Sequence, residues 1–221
     1  MNVIEALQQR KSVRAFLDKA VDKETIDTLL AAASHAPSGV NTQPWQVAVV
    51  TGDKKQTLQA EIETAFRGGD KGKADYSYYP DQWVKPYKDR RKACGLQMYS
   101  TLKIEREDRE RQLDQWASNY RAFDAPVMLL FFMDEGLQTG SYMDYGMFIQ
   151  SVMLAAVDQG LATCPQASLA DYPHIIKPAL DFPQDSILLC GMSLGYEDTK
   201  ALVNCYRTPR ETVDNFTDYF Q

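Results

Sequence analysis

The chain has 221 residues, 44% of them hydrophobic, and a formal net charge of −6 with a pI of about 5.0. Such an acidic chain offers no basic surface for nucleic acid or for an anionic membrane, and no apolar run approaches the roughly 20 residues that span a bilayer. We therefore expect a soluble, cytoplasmic protein that forms one domain over residues 1–221.

A helix opens the chain, capped by Asn2, and ends near Arg10. The run Arg10-Lys11-Ser12-Val13-Arg14 then places three cations and a hydroxyl within five residues. The run is either solvated charge at a helix C-terminus or a phosphate site, because arginine offers a planar fork of donors. The residues by themselves leave both interpretations open.

A second helix, capped by Asp22, leads into a loop rich in proline and polar residues. Each proline fixes its own φ and keeps the preceding residue out of the helical region, and Gly39 allows a close backbone approach. Taken alone, the loop is a helix-to-strand turn closed by a core tryptophan, or a binding loop. Its sequence is Ala36-Pro37-Ser38-Gly39-Val40-Asn41-Thr42-Gln43-Pro44-Trp45.

Helices and strands alternate along the rest of the chain without a regular βαβ period. This pattern predicts an α+β fold with a mixed, mostly antiparallel sheet. The predicted strands are Gln46–Thr51, Val127–Met133, the short Thr163–Ala167 and Ser186–Leu194. The predicted helices are Lys54–Phe66, Lys92–Leu102, Glu105–Asn119, Tyr142–Gln159 and Pro173–Leu180.

The predicted helix Tyr142–Gln159 is apolar on almost every side. Such a helix must be buried, either in the core or between subunits. Ser141 and Asp144 have the spacing of a capping box at its start.

Residues 67–91 are rich in glycine, proline and aromatic residues and have no periodicity. Loops of this length are usually functional or disordered, and the aromatic content argues against disorder. The segment is either an active-site excursion that touches substrate or a surface loop packed by its own rings.

No motif for hydrolysis, for a P-loop, for a dinucleotide fingerprint or for a zinc helix is present. Two histidines and four widely spaced cysteines do not form a metal-ligand pattern. If the chain is an enzyme, a bound cofactor is the simplest source of its chemistry.

Five motifs in chain order resemble the FMN-dependent nitroreductase family, closest to the branch that acts on nitrobenzoate-like nitroaromatics. They are Arg-x-Ser-x-Arg-x-Phe, Ala-Pro-Ser-Gly-x-Asn-x-Gln-Pro-Trp, Asp-Ala-Pro-Val, Gly-Leu-x-Thr-Cys-Pro-Gln and Gly-x-x-Leu-Gly-Tyr. The resemblance implies a nitroreductase-like α+β fold and an intertwined homodimer with FMN at the subunit interface. It also implies that the tail, residues 205–221, wraps the partner subunit.

The resemblance implies a role for three groups of residues. Contacts to the FMN phosphate and ribityl chain fall to Arg10, Ser12 and Arg14, with Lys11 beside them, and to Arg210 or, as the fallback, Arg207. The loop that reaches the flavin from the other subunit contains Pro37, Ser38, Gly39, Asn41 and, more weakly, Gln43. The segment whose backbone faces the isoalloxazine near N5 is Pro165, Gln166 and Ala167.

The implied reaction is a ping-pong transfer in which NADH or NADPH gives hydride to flavin N5 and an aromatic acceptor then takes the electrons. A nitro group would yield a nitroso compound and then a hydroxylamine, with no protein nucleophile and no metal. Two alternatives remain, a flavin-dependent reductive dehalogenase of the same fold and a non-catalytic flavin-binding module. The deiodinase-like pattern has His and Glu where this chain has Asn41 and Gln43, which favours the nitroreductase.

Overall fold

A four-stranded antiparallel sheet forms the centre of the structure, a computed structural model that describes residues 1–221. Its strands, in the spatial order β1-β2-β4-β3, are β1 (Gln46–Thr51), β2 (Val127–Asp134), β3 (Ala162–Gln166) and β4 (Ser186–Gly195). The predicted mostly antiparallel sheet is confirmed, and the one parallel pairing is an isolated bridge between Ser12 and Thr163.

Strand β2 is buried on both faces, as its unbroken apolar sequence predicts. Successive side chains of a strand point to opposite faces, so β2 supplies alternate residues to two hydrophobic clusters. Leu129 and Phe131 pack in the cluster that contains residues of α2 (Lys23–Ala33) and α6 (Thr139–Asp158). Leu130 packs in the other cluster, beneath the two helices on the opposite face, α3 (Gly52–Arg67) and α7 (Pro173–Ala179).

The remaining helices lie at the N-terminus and between β1 and β2. They are α1 (Val3–Gln9), α4 (Tyr87–Thr101) and α5 (Arg109–Ala117). The predicted caps are confirmed: Asn2 and Glu5 form a reciprocal capping box on α1, and the Asp22 side chain accepts from Thr25 N at the start of α2. No helix combines the length and the apolar character that crossing a membrane requires.

Helix α6 differs from its prediction at its start. The predicted capping box at Ser141 and Asp144 is wrong, because the helix already begins at Thr139 and Asp144 accepts from Gly39 N instead. The helix was predicted to be buried in the core or between subunits. The core of one chain covers the side of Tyr145 but leaves Met143 73% exposed. An apolar stripe of α6 is therefore open to a further contact.

Candidate functional site

The N-terminal basic run leaves α1 and lies along the outer side of β3. Val13 N donates to Thr163 O at 3.0 Å, and Ser12 is bridged to the same strand residue. Because the capping box fixes the start of α1 and this bridge fixes its exit, the backbone between Arg10 and Arg14 has a defined course.

The C-terminal part of the chain returns to the same place through Asn204. The Asn204 side chain is buried, accepts from Arg14 N at 2.8 Å and donates to Ala15 O at 2.8 Å. The backbone carbonyl oxygen of Asn204 accepts from Lys11 Nζ at 2.7 Å. This asparagine therefore joins two segments at opposite ends of the chain.

A cavity of about 740 Å³ opens where these segments meet. Four arginines face it, two from each segment, together with the Ser12 hydroxyl. Its lining residues are Leu7, Gln8, Arg10, Lys11, Ser12, Arg14, Cys94, Gln150, Tyr206, Arg207, Thr208 and Arg210. We call this space the arginine cavity.

None of the four arginines of the arginine cavity forms an ion pair with a carboxylate. Burial, and then the guanidinium groups of Arg210 and Arg207, lower the pKa of Arg10. Guanidinium groups that line the same cavity repel one another. This repulsion raises the free energy of the folded protein unless an anion binds between them. The electrostatics of the cavity thus favour a phosphate or a similar anion.

The cations of the site differ in how far their charges are already paired within the protein. Lys11 pairs with Glu197 at 2.7 Å, so its charge is largely neutralised. Arg207 donates to the carbonyl oxygens of Gln9 and Arg10 and so closes the C-terminus of α1. Arg210 folds back onto Thr208.

Strand β3 forms an edge of the sheet, and its outer side meets the chain only at the bridge from Thr163 to Ser12. Pro165 and Gln166 follow Thr163 on this edge strand, and the backbone groups there that do not pair with β4 lie on the outer side of the sheet. The Gln166 side chain is committed inside the protein, since its Nε2 donates to Asn119 O and its Oε1 accepts from Ser193 Oγ.

Cys164 lies between the basic run and β4 and is buried. Burial raises the pKa of its thiol, and the neighbouring Arg14 and Ser12 only partly oppose that rise. A buried thiol that resists ionisation is inert.

The proline-rich loop lies apart from the arginine cavity of its own chain, and none of its residues lines it. Gly39–Asn41 forms a 3-10 turn, and the Ser38 hydroxyl accepts from Gln43 N at 3.0 Å. Pro37 and Asn41 are exposed. Within one chain the structure therefore brings the basic run together with Arg207 and Arg210, whereas neither the loop nor Pro165, Gln166 and Ala167 line the cavity.

The 67–91 segment divides into an anchored half and an exposed half. Asp75 pairs with the buried Lys177 at 3.0 Å, and the Tyr76 hydroxyl donates to Leu189 O at 2.6 Å. Beyond them, the rings of Tyr79 and Trp83 pack together with centroids 5.6 Å apart. The segment then enters α4, which carries Cys94 to the rim of the arginine cavity.

The profile of the Nitroreductase family matches residues 7–196, which include β1 to β4 and the basic run. The chain belongs to the nitroreductase family. The resemblance drawn from the five motifs is therefore confirmed at the level of the family.

Relatives of this nitroreductase-family chain match it over almost its whole length. It is 38% identical to a 4-nitrobenzoate reductase of Pseudomonas putida over 95% of this chain and 92% of the relative. The crystal structure of the FMN- and NADPH-dependent nitroreductase NfnB from Sphigopyxis sp. strain HMH has a TM-score of 0.97 and 37% identity, with full coverage of both chains. NfnB of Mycobacterium smegmatis in complex with NADPH has a TM-score of 0.93 and 30% identity, again over both whole chains.

The matches to dehalogenases are lower in identity or shorter. An iodotyrosine dehalogenase 1 homolog of Caenorhabditis elegans is 25% identical over 98% of this chain and 60% of that protein. An iodotyrosine deiodinase of Rattus norvegicus is 34% identical over 92 residues, which is 38% of this chain and 32% of that protein. The nitroreductase-like fold predicted from the sequence is confirmed by the likeness to NfnB.

Two residues that build the site of this family member are not among those predicted from the sequence. Asn204 positions the basic run, and Glu197 neutralises Lys11. The contacts that define both residues join positions more than 180 apart in the chain, as in the pair Arg14 and Asn204 with a separation of 190. No local pattern could have identified them.

Proposed function

We propose that this chain is an FMN-dependent oxidoreductase that uses NADH or NADPH to reduce nitroaromatic acceptors of the nitrobenzoate type. The observation that carries the proposal is the arginine cavity, where four guanidinium groups without carboxylate partners converge in an acidic chain of the nitroreductase family. The names of the relatives, 4-nitrobenzoate reductase and FMN- and NADPH-dependent nitroreductase, support the same activity.

The residues present fit FMN. The cavity volume of about 740 Å³ lies within the range of cofactor pockets, roughly 300–1,000 Å³. Arg10, Arg14 and the Ser12 hydroxyl would hold the phosphate, since planar guanidinium groups bind phosphate oxygens in pairs. Arg207 and Arg210 would complete the site, whereas Lys11, paired with Glu197, mainly supports the backbone.

Backbone groups of Pro165, Gln166 and Ala167 at the outer edge of β3 would face the isoalloxazine ring. When bound, FMN supplies hydride acceptance and delivery at its N5 atom, so the nicotinamide donor and the nitro acceptor use the same space in turn. The protein would bind and orient the cofactor. Fixed backbone dipoles would stabilise negative charge on the flavin. No side chain in the arginine cavity is needed as a nucleophile.

A second copy of the chain is the partner that we propose, because large apolar side chains are exposed on three neighbouring features. These features are α1, the free stripe of α6 and the C-terminal tail of residues 205–221. The exposed side chains are Val3, Ile4, Leu7, Met143, Met147, Val213, Phe216, Tyr219 and Phe220. In such a homodimer the tail would wrap the partner, and the loop containing Pro37, Ser38, Gly39, Asn41 and Gln43 would reach the flavin of the other subunit.

The segment 67–91 would cover the active site from the side of α4. Its anchored half fixes the position, and its exposed rings, such as Tyr78 and Tyr79, provide aromatic surface for a flat acceptor. The identity of that acceptor depends on these rings and on the second copy.

Anaerobic visible spectroscopy of the purified protein tests the proposal. A bound flavin band should bleach on addition of NADH or NADPH and return when 4-nitrobenzoate is added. A band that does not bleach with either nicotinamide would identify a non-catalytic flavin module. A protein that binds no FMN would refute the proposal.

A further inference from the structure

The solvent-exposed loop Ser38–Gln43 has an unfavourable backbone conformation. Val40, Asn41 and Gln43 have φ angles of 46°, 59° and 48°, and Val40 is 98% exposed. A β-branched residue with positive φ is a genuine outlier, and a strained backbone persists only where surrounding contacts impose it. The loop therefore requires contacts that hold it.

Those contacts come from one end of α6. Asp144 Oδ2 accepts from Gly39 N at 3.2 Å, at the start of the turn. The Tyr145 hydroxyl accepts from Gln46 N at 2.9 Å, just after the loop. One turn further along α6, Phe148 stacks on Trp45 with ring centroids 4.8 Å apart and planes 7° from parallel.

Asp144 is the least expected of these residues. Its side chain is 9% exposed, lies on an apolar helix and has no cationic partner within ion-pair distance. A buried carboxylate is unfavourable there unless its hydrogen bonds are needed. It does not cap α6, so the hydrogen bond to Gly39 N is the structural use that its contacts reveal.

We propose that Asp144, supported by Tyr145 and Phe148, is a positioning residue that holds the Ser38–Gln43 loop in the conformation that binds the flavin. The inference rests on the proposed function, in which this loop contacts FMN. Asp144 touches neither cofactor nor substrate and acts through the Gly39 amide. A loop that is already ordered before binding loses less conformational freedom when FMN arrives, which increases affinity.

Three variants test this role in the full-length protein. Asp144→Leu keeps the branching at Cγ but removes the acceptor, whereas Asp144→Asn keeps an acceptor oxygen. Asp158→Leu is the matched control, since Asp158 lies at the other end of α6 with its side chain 50% exposed. The measurements are the FMN dissociation constant, competition by inorganic phosphate, the melting temperature and hydrogen exchange of residues 36–45.

Asp144→Leu should weaken FMN binding by about tenfold or more, because the loop loses its order. Its phosphate competition and melting temperature should stay near those of wild type. Asp144→Asn and Asp158→Leu should bind FMN as the wild type does. Equal FMN affinity in Asp144→Leu and wild type, or an equal loss in Asp144→Asn and Asp144→Leu, would overturn the proposal. If Asp144→Leu does not fold, Asp144→Ser, whose side chain is too short to reach Gly39, replaces it.

Hydrogen exchange separates the two proposals. A wild-type chain that binds no FMN refutes the proposed function, and exchange of residues 36–45 then decides the role of Asp144. Faster hydrogen exchange of residues 36–45 in Asp144→Leu than in wild type supports Asp144 as the positioning residue of the loop. Unchanged exchange overturns that role.

Discussion

Four guanidinium groups converge on one cavity although the protein carries a net charge of −6. Two of them, on Arg10 and Arg14, follow α1, and two, on Arg207 and Arg210, come from the tail. Each group that meets a phosphate oxygen forms a charge-assisted hydrogen bond. We therefore expect these arginines to provide the affinity for the cofactor.

Substitution of Arg10 and Arg210 by alanine together should weaken FMN binding strongly. Each charge-assisted contact contributes about 1.5–3 kcal/mol, so each loss lowers affinity roughly tenfold or more. Flavin fluorescence on titration measures the effect. Arg106→Ala, at an exposed position outside the cavity, is the control. Full flavin occupancy in the double variant would contradict the site.

The four cysteines should divide into two classes of reactivity. Burial raises the pKa of Cys190 to about 12 and also raises the pKa of Cys164, whereas Cys94 and Cys205 are exposed. Near pH 8, about the ordinary thiol pKa, a disulfide reagent should modify two thiols rapidly and the other two only after unfolding.

Saturating FMN should slow the modification of Cys94, because Cys94 lines the arginine cavity and Cys205 does not. Mass spectrometry of the modified peptides distinguishes the two thiols. Four thiols of equal reactivity, or no protection of Cys94 by FMN, would argue against the geometry described for the cavity.

Single residues differ in how far the sequence predicts their roles. The basic run and the tail arginines were candidates because their charge and their motif are local features. The buried partners of Gln166, the link through Asn204 and the hydrogen bond from Gly39 to Asp144 were not predictable, since each joins distant parts of the chain. Asp144 shows the difficulty, as its spacing from Ser141 imitates a helix cap that the structure does not form.

The anchored half of the 67–91 segment depends on an ion pair with α7, one of the two helices on that face of the sheet. Lys177 Nζ lies 3.0 Å from Asp75 Oδ2, and its side chain is 5% exposed. Asp75→Asn should lower the free energy of unfolding by about 3 kcal/mol, because it leaves a buried ammonium without its partner. Urea unfolding measures the change.

The exposed pair of Lys85 and Asp89 is the matched control for that experiment. Their side chains are 83% and 61% exposed and the charged atoms are 3.8 Å apart. Asp89→Asn should change the free energy of unfolding by at most about 1 kcal/mol. Equal effects of the two substitutions would mean that the anchor does not hold the segment.

The exposed half of the segment should respond to ligands if it covers the active site. Limited proteolysis is expected to cut near Tyr78, Tyr79 and Val84, which are exposed. FMN together with 4-nitrobenzoate should slow cleavage there more than elsewhere. An unchanged cleavage pattern would count against a covering role and favour a loop packed only by its own rings.

Element boundaries show where local sequence fails. Helix α4 begins at Tyr87 instead of Lys92, although residues 87–91 have no apolar periodicity. An ion pair with the tail, from Arg90 to Glu211, supports this first turn. Further along the helix, Gln97 Nε2 donates to the carbonyl oxygen of Arg207. The apolar strands, in contrast, were predicted almost to the residue, because burial on both faces leaves a continuous apolar run.

At the scale of the whole molecule, the exposed apolar residues of α1, α6 and the tail predict a homodimer. Analytical ultracentrifugation should give twice the chain mass of 25.0 kDa. Met143→Lys places a charge in the free stripe of α6 and should shift the protein toward monomer and reduce FMN affinity. Leu113→Lys, at an exposed apolar position on α5, should do neither.

A monomeric wild type that still binds FMN tightly would contradict that account. In that case the loop of residues 38–43 would have no second arginine cavity to reach. The separation between this loop and the arginine cavity of its own chain, which no local sequence pattern reveals, is the structural reason for expecting a second copy.

A crystal structure of the protein grown with FMN would show where the cofactor binds and which subunits contact it. It should show the phosphate within hydrogen-bond distance of Arg10 and Arg14, the ring against the outer edge of β3, and the loop of residues 38–43 contributed by a second copy. A flavin phosphate bound outside the arginine cavity, or a flavin enclosed by one chain alone, would contradict it.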